Sequence, residues 1–243
     1  MTIGLKLRKG CTRDSSYNNG AGYNSRENRT ALLYLSDCEE KYRISKVKDK
    51  HMSAFTVRIA TPDDAERIAE IYGYYVKNTA ITFEYVPPSA DEMRRRIKST
   101  LEKYPYLVAV RDGTVMGYAY AGAFITRSAC DWSCEVTVYV DKTAKGQGVG
   151  RLLYETLENN LCKMGILNLY ALVASPSVED EYLTHNSEQF HAHLGFIKIG
   201  ESHNCACKFG RWYNMIWMEK HLGTHCPSPS APVHFRHDTE KHK

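Results

Sequence analysis

The run Lys145-Gly146-Gln147-Gly148-Val149-Gly150 sets three alternate glycines between a strand-like segment and a helix-like one. Before it, Trp132-Ser-Cys-Glu-Val-Thr-Val-Tyr-Val140 is short, β-branched and aromatic, the composition of a buried strand. After it, Leu152, Leu153, Leu157 and Leu161 recur at helical spacing. Glycines here let the backbone approach a ligand closely, and the first amides of the following helix point outward, where the helix dipole favours an anion. The run from Lys145 to Gly150 therefore reads as a cradle for a pyrophosphate. Just upstream, Glu135 interrupts the apolar strand. Alternation puts it on one face with Thr137 and Tyr139, opposite Trp132, Cys134, Val136 and Val138. A carboxylate in such a strand needs a reason, because unpaired burial is costly. Burial would lift its pKa from the ordinary ~4.3 toward the range of a general base.

Spacing excludes two familiar phosphate motifs. A P-loop requires G-x-x-x-x-G-K-[ST], which does not occur. A dinucleotide fingerprint requires G-x-G-x-x-G after an N-terminal strand with an acid about 20 residues on, whereas this run is G-x-G-x-G, preceded by a cation and deep in the chain.

The elements that position these residues follow in a regular order. A strand over 55–60 leads through Thr61-Pro62-Asp63-Asp64, a cap with Pro at the first helical position, into a helix over 65–77. Ser89-Ala-Asp-Glu92 is a capping-box pattern opening a helix to about Lys103. Two strands, 106–111 and 114–123, meet at Asp112-Gly113, a strong hairpin signal. Strand 132–140, helix 148–163, strand 168–173, helix 186–194 and strands 196–203 and 212–220 complete the series. The order β-α-α-β-β-β-α-β-α-β-β predicts an α/β domain with a mixed, mostly antiparallel sheet and helices on both faces.

The domain is expected over 52–222, behind an N-terminal extension over 1–51 that is either disordered or precedes a natural start at Met52. The Pro- and His-containing stretch 223–243 reads as a disordered tail. The net charge of +4 is concentrated at the front. Residues 1–51 hold 11 Lys/Arg against 6 Asp/Glu, and the rest 21 against 22, so the domain has no basic field that would gather nucleic acid. No apolar run approaches the ~20 residues of a membrane span, so no membrane partner is expected. The eight cysteines lack paired C-x-x-C spacing; Cys130 and Cys134 have no second half of a metal site, so no metal is expected and reduced thiols in a cytoplasmic protein are.

The glycine run resembles motif A of the GNAT acetyltransferases, (Gln/Arg)-x-x-Gly-x-(Gly/Ala), with Lys145 where Arg or Gln is usual. Asn186-Ser-Glu-Gln-Phe-His191-Ala-His-Leu-Gly195-Phe196 resembles the family's later helix. Over about residues 54–222 the chain looks most like the phosphinothricin and methionine sulfone/sulfoximine branch. That likeness rests on Asp131–Val140, on His191–Phe196, on Lys208-Phe-Gly-Arg-Trp212 and on Asn78–Glu84.

The resemblance implies an acetyl-CoA-dependent N-acetyltransferase acting by direct transfer on a small-molecule amine, and a homodimer. It implies that Val138, Tyr139 and Val140 bond the pantetheine amides as an added strand would, and that Asn186 also reaches the cofactor. Glu135 is the candidate general base. His191 stands where many family members place the tyrosine that protonates the thiolate, and either donates a proton or packs beside the cofactor. Tyr170 and Tyr139 stay open as alternative donors. Arg127 and Lys208 are candidates to hold a carboxylate of the acceptor, and Phe83, Trp132 and Trp212 to wall its side chain, or to be core. The competing acceptors are a protein N-terminus, an aminoglycoside or a polyamine; a different class is an acetyl-CoA sensor without turnover.

Overall fold

The computed structural model describes residues 55–236. Its strands are β1 (Thr56–Ile59), β2 (Tyr106–Arg111), β3 (Thr114–Ala123), β4 (Ser133–Val140), β5 (Asn168–Ser175), β6 (Ile197–Lys208) and β7 (Arg211–His221). They form one seven-stranded sheet in the order β1-β2-β3-β4-β5-β7-β6. Only β4 and β5 run parallel among these neighbours; every other pair is antiparallel. The hairpin between β2 and β3 turns on Asp112 and Gly113, both at positive φ, as a two-residue primed turn requires.

Alternation along the strands divides the core into two layers. One face carries Tyr106, Val108, Val115 and Tyr118 and packs on α1 (Ala65–Asn78) and α2 (Ala90–Leu101) through Ile68, Ile71, Tyr72, Tyr75, Met93 and Ile97. The other carries Leu107, Ala119, Cys134, Val136 and Leu169 and packs on α3 (Val149–Met164) through Val149, Leu153, Leu157 and Leu161. The leucine spacing of the sequence is thus the buried stripe of α3. The last helix, α4 (Asn186–His193), joins this second layer through Phe190. Half of the expected capping box forms: Ser89 Oγ accepts from Glu92 N at 3.1 Å, while the Glu92 carboxylate turns outward to Arg95 and Arg96. No helix among the described residues is long and apolar enough to cross a membrane. Cys130, Cys134, Cys205, Cys207 and Cys226 are free thiols.

The extension expected over 1–51 lies outside the described residues, as do residues 237–243 of the tail. Residues 223–236, expected to be disordered, lie against the domain instead. Val233 N donates to Met164 O at 2.9 Å and Phe235 N to Lys103 O at 3.0 Å. Trp132 Nε1 donates to Ser230 O at 2.9 Å, and the Phe235 ring packs on the α3 layer. Prolines and histidines hid this strap in the sequence, because its anchors are mostly backbone groups, with the Phe235 ring and a His225–Asn168 hydrogen bond of 2.8 Å. It ties the end of α3 to the residue pair just beyond α2, so both helical layers are joined at this end of the sheet. A chain ending at Leu222 is expected to lose about 2 kcal/mol of stability. That corresponds to a midpoint lowered by roughly 5 °C in thermal denaturation, with red-shifted emission from Trp132. An unchanged midpoint would show that the strap contributes nothing.

Candidate active site

β4 and β5 are each eight residues long but pair only at Ser133↔Asn168, Cys134↔Leu169 and Glu135↔Tyr170. Beyond that point β4 stays with β3 as far as Val140↔Gly117, and β5 stays with β7 as far as Ser175↔Asn214. The sheet therefore forks. The β4 backbone from Val136 to Val140 presents an edge with no strand partner on its β5 side, a ready template for a ligand carrying amides. A cavity of about 800 Å³ occupies the fork. Because the sheet is open here, residues of both faces line it: Glu135, Thr137 and Tyr139 from one, Val136, Val138, Tyr154 and His191 from the other.

The glycine loop sits at the end of β4 and is organised before any ligand arrives. Asp141 Oδ1 accepts from Thr143 N at 2.8 Å, which starts the short turn Lys142–Ala144, and Arg67 of α1 pairs with the other carboxylate oxygen. Gln147 is held on both ends of its amide, by Arg111 Nη1 at 2.8 Å and by Thr143 O at 2.8 Å. Gly146 and Gly148 have φ of 74° and 82°, conformations that side chains resist. Gly150 lies inside α3, where an added Cβ would meet the Phe190 ring at 3.0 Å, so its bareness serves the packing of α4. The first intrahelical bond of α3 runs from Leu152 N to Gly148 O, which leaves the amides of Val149, Gly150 and Arg151 without intrahelical acceptors. Lys145 Nζ stands 4.8 Å from the centre of the Tyr75 ring, whose hydroxyl donates to Val140 O.

Glu135 is half-buried at the fork itself, the last β4 residue paired to β5. Burial pushes its carboxyl above the usual glutamate range. No ion pair reaches it among the described residues, and burial alone accounts for the shift. His191 is buried, with Nδ1 at 2.7 Å from Ser187 O and Nε2 at 2.9 Å from the Tyr154 hydroxyl. A carbonyl only accepts, so Nδ1 carries the proton. Burial lowers the imidazole's pKa, against the opposing pull of the Ser187 carbonyl, so the ring is favoured neutral with Nε2 accepting from Tyr154. In that state His191 has no proton directed at the cavity, which favours packing over proton donation. Asn186 is exposed at the start of α4.

Of the five expected acceptor residues, Phe83 alone lines the cavity. Arg127 is exposed on the connection between β3 and β4. Trp132 lies beneath the C-terminal strap, at the start of β4 rather than in the fork. Trp212 is 62% exposed on β7. Lys208 is buried and directs its ammonium to Thr82 O at 2.7 Å, behind the cavity wall. The cations that line the cavity are Arg95, Arg96 and Lys98, all from α2. Arg96 bonds Glu84 at 3.0 Å and Glu92 at 2.8 Å. In the sequence Arg94-Arg95-Arg96 looks like a solvated face; the hint was Met93 and Ile97, whose burial rolls Arg96 toward the fork.

Residues 57–217 match the model of the acetyltransferase (GNAT) domain. The chain is 41% identical over 170 residues to a phosphinothricin N-acetyltransferase of Alcaligenes faecalis, covering 70% of this chain and 83% of that protein. It is 29% identical to an L-methionine sulfoximine/L-methionine sulfone acetyltransferase of Salmonella typhimurium, over 72% of this chain and 99% of that one. Among solved structures it is similar to a GNAT superfamily phosphinothricin acetyltransferase from Sinorhizobium meliloti in complex with AcCoA. That match has a TM-score of 0.67 and 31% identity, and covers 76% of this chain and all of the other.

The lowered pKa of His191 has a signed consequence for stability. The folded state binds this proton less readily than the unfolded one, so the contribution of neutral His191 is complete above about pH 6.5 and is lost as pH falls through the folded pKa. Wild type is expected to melt above His191→Gln at pH 8, with the gap narrowing toward pH 5. A gap that widens on acidification would mean that the buried ring is charged.

Proposed function

The chain belongs to the GNAT acetyltransferases, and from that premise we propose that it transfers the acetyl group of acetyl-CoA to the amine of a small amino acid or analogue of the phosphinothricin or methionine sulfone type. The observation that carries this is the fork between β4 and β5, with Glu135 at its apex and the glycine loop at its mouth. The names of the relatives at 41% and 29% identity support the acceptor class, and the AcCoA complex of the structural relative supports the co-substrate.

In this reading the amides at the start of α3, with Gly146 and Gly148, hold the pyrophosphate. The free edge of β4 from Val138 through Val140 receives the pantetheine arm, Lys145 lends charge beside the loop, and Asn186 reaches the cofactor from α4. The acceptor enters against the loop of residues 79–89, with Phe83 at its side chain and Arg96 facing its carboxylate. Glu135, lifted in pKa by burial, takes a proton from the ammonium directly or through one water. The freed amine attacks the thioester carbonyl and forms the C–N bond. As the tetrahedral adduct collapses the C–S bond breaks, and the departing sulfur takes up the remaining excess proton of the nitrogen. His191 orients the Tyr154 hydroxyl at the inner end of the fork. A homodimer belongs to the same reading: Tyr85 and Trp212 lie exposed on either side of Cys207, an apolar surface that a second copy would cover. Sedimentation velocity at micromolar concentration should then give twice the chain mass, and a monomer would remove this part.

Thiol release from acetyl-CoA is expected with phosphinothricin or methionine sulfone and not with peptides, aminoglycosides or polyamines. Tight acetyl-CoA binding with no turnover on any acceptor would favour a sensor instead. Glu135→Gln should lower kcat by about 10²–10⁴-fold while leaving the acetyl-CoA Kd unchanged. The wild-type rate should fall on its acid side above the ordinary glutamate range, because the base must be deprotonated to work. Unchanged turnover in Glu135→Gln would remove the residue from the mechanism.

A further inference from the structure

Residues 79–89 connect α1 to α2 without regular secondary structure, yet Ile81, Thr82, Phe83 and Glu84 form one wall of the cavity. A wall made of loop backbone must be held from behind, since buried carbonyls need donors and a loop supplies few of its own. The holding group is unusual. Lys208 is only 3% exposed, and its ammonium donates to Thr82 O at 2.7 Å, bridging the last residue of β6 to the middle of the loop. Burial lowers the pKa of this ammonium, against the attraction of Glu84. Buried lysines are rare unless something specific is gained.

The other end of the bridge is fixed. Phe209 and Gly210, both at positive φ, form the tight turn between β6 and β7. Phe209 stacks on Tyr182 with ring centres 4.2 Å apart. Across the turn, Arg211 grips Glu181 with two bonds of 2.6 and 2.9 Å, and it reaches Asp180 at 2.9 Å. Asp180 in turn accepts from Tyr182 N and Leu183 N, both at 2.8 Å, and from the Tyr213 hydroxyl. Further contacts tie the loop to its surroundings: the Tyr85 hydroxyl donates to Cys207 O, Tyr72 shares a 2.6 Å hydrogen bond with the Thr82 hydroxyl, Ala80 N donates to Tyr182 O at 3.0 Å, and Arg96 reaches Glu84 at 3.0 Å.

We infer that Lys208 is a positioning residue, anchoring Thr82 to the β6–β7 turn so that Phe83 and Glu84 keep a fixed distance from Glu135. It acts through the wall and does not itself meet the acceptor. This rests on the acetyl-transfer reading only for the kinetic arm of the test. In full-length Lys208→Met, which keeps the stem and removes the donor, amides of residues 79–89 should exchange with deuterium about tenfold faster. Those around residues 145–152 should stay unchanged. The acceptor KM should rise about tenfold with kcat within about twofold, and the acetyl-CoA Kd should hold. Exchange unchanged in 79–89, or an acetyl-CoA Kd that rises as much as the acceptor KM, would overturn the inference. The exchange arm needs no acceptor, so absence of turnover in the unaltered chain would count against the acetyl-transfer reading alone. Should Lys208→Met fail to fold, Tyr85→Phe removes the second tether from an exposed side chain. It should shift exchange and KM in the same direction by about twofold, and no shift in either would sink the idea.

Discussion

Parallel pairing between β4 and β5 ends at Glu135 and Tyr170, and the separation of the two backbones beyond that point governs the rest of the molecule. Strands rarely part within a sheet, because each abandoned amide and carbonyl must find another partner. Here both strands stay fully paired on their outer sides, β4 to β3 and β5 to β7, so the fork costs no order in either half. What it leaves is one unpaired edge, a passage through the sheet and a meeting of the two side-chain faces. Glu135 lies at the apex, where the passage is narrowest. Its titration is shifted by the position in the fork rather than by a neighbouring charge.

The face from which Glu135 projects is built largely of tyrosine. Tyr106, Tyr118, Tyr120 and Tyr139 stack across adjacent strands with centroid separations of 5.0 to 5.8 Å, and Tyr72 meets Tyr139 edge-on at 4.9 Å. Stacked rings supply a rigid, largely apolar wall to the cavity. Burial raises the titrations of Tyr106, Tyr118 and Tyr139 well above the ordinary phenol value. These hydroxyls therefore stay neutral.

Local pattern in the chain carried most of the architecture. The glycine run, the leucine stripe of α3, the Asp112-Gly113 turn and the alternation around Glu135 are all decided by neighbours within a few residues, and each appears where the spacing put it. The cavity wall was less legible, because it is assembled from segments far apart in sequence. Residue type left Trp132 open between a substrate pocket and the core, and its indole hydrogen bond goes to Ser230, nearly a hundred residues downstream. Lys208 was assigned by charge to a ligand, but its ammonium was already committed to a carbonyl 126 positions away. Arg96 was overlooked because a run of three arginines on a helix is usually solvated. Beside Glu92 of its own helix, the loop carrying Glu84 brings a second carboxylate to it from outside the helix.

The glycine loop shows why spacing alone overstates what a motif does. All three glycines were read as one device for approaching a ligand, yet they answer three different demands. Gly146 admits a backbone turn at positive φ, and Gly148 places the first amide of α3 by the same freedom. Gly150 yields its side-chain space to Phe190. The third demand is the informative one, because Phe190 is followed by His191, which fixes the Tyr154 hydroxyl inside the fork. A side chain at position 150 would press on the ring that seats α4 and so reach the far side of the cavity without touching any phosphate. The loop is thus both a turn that leaves the first amides of α3 without intrahelical acceptors and the joint on which α4 rests, because a single short stretch of backbone serves both.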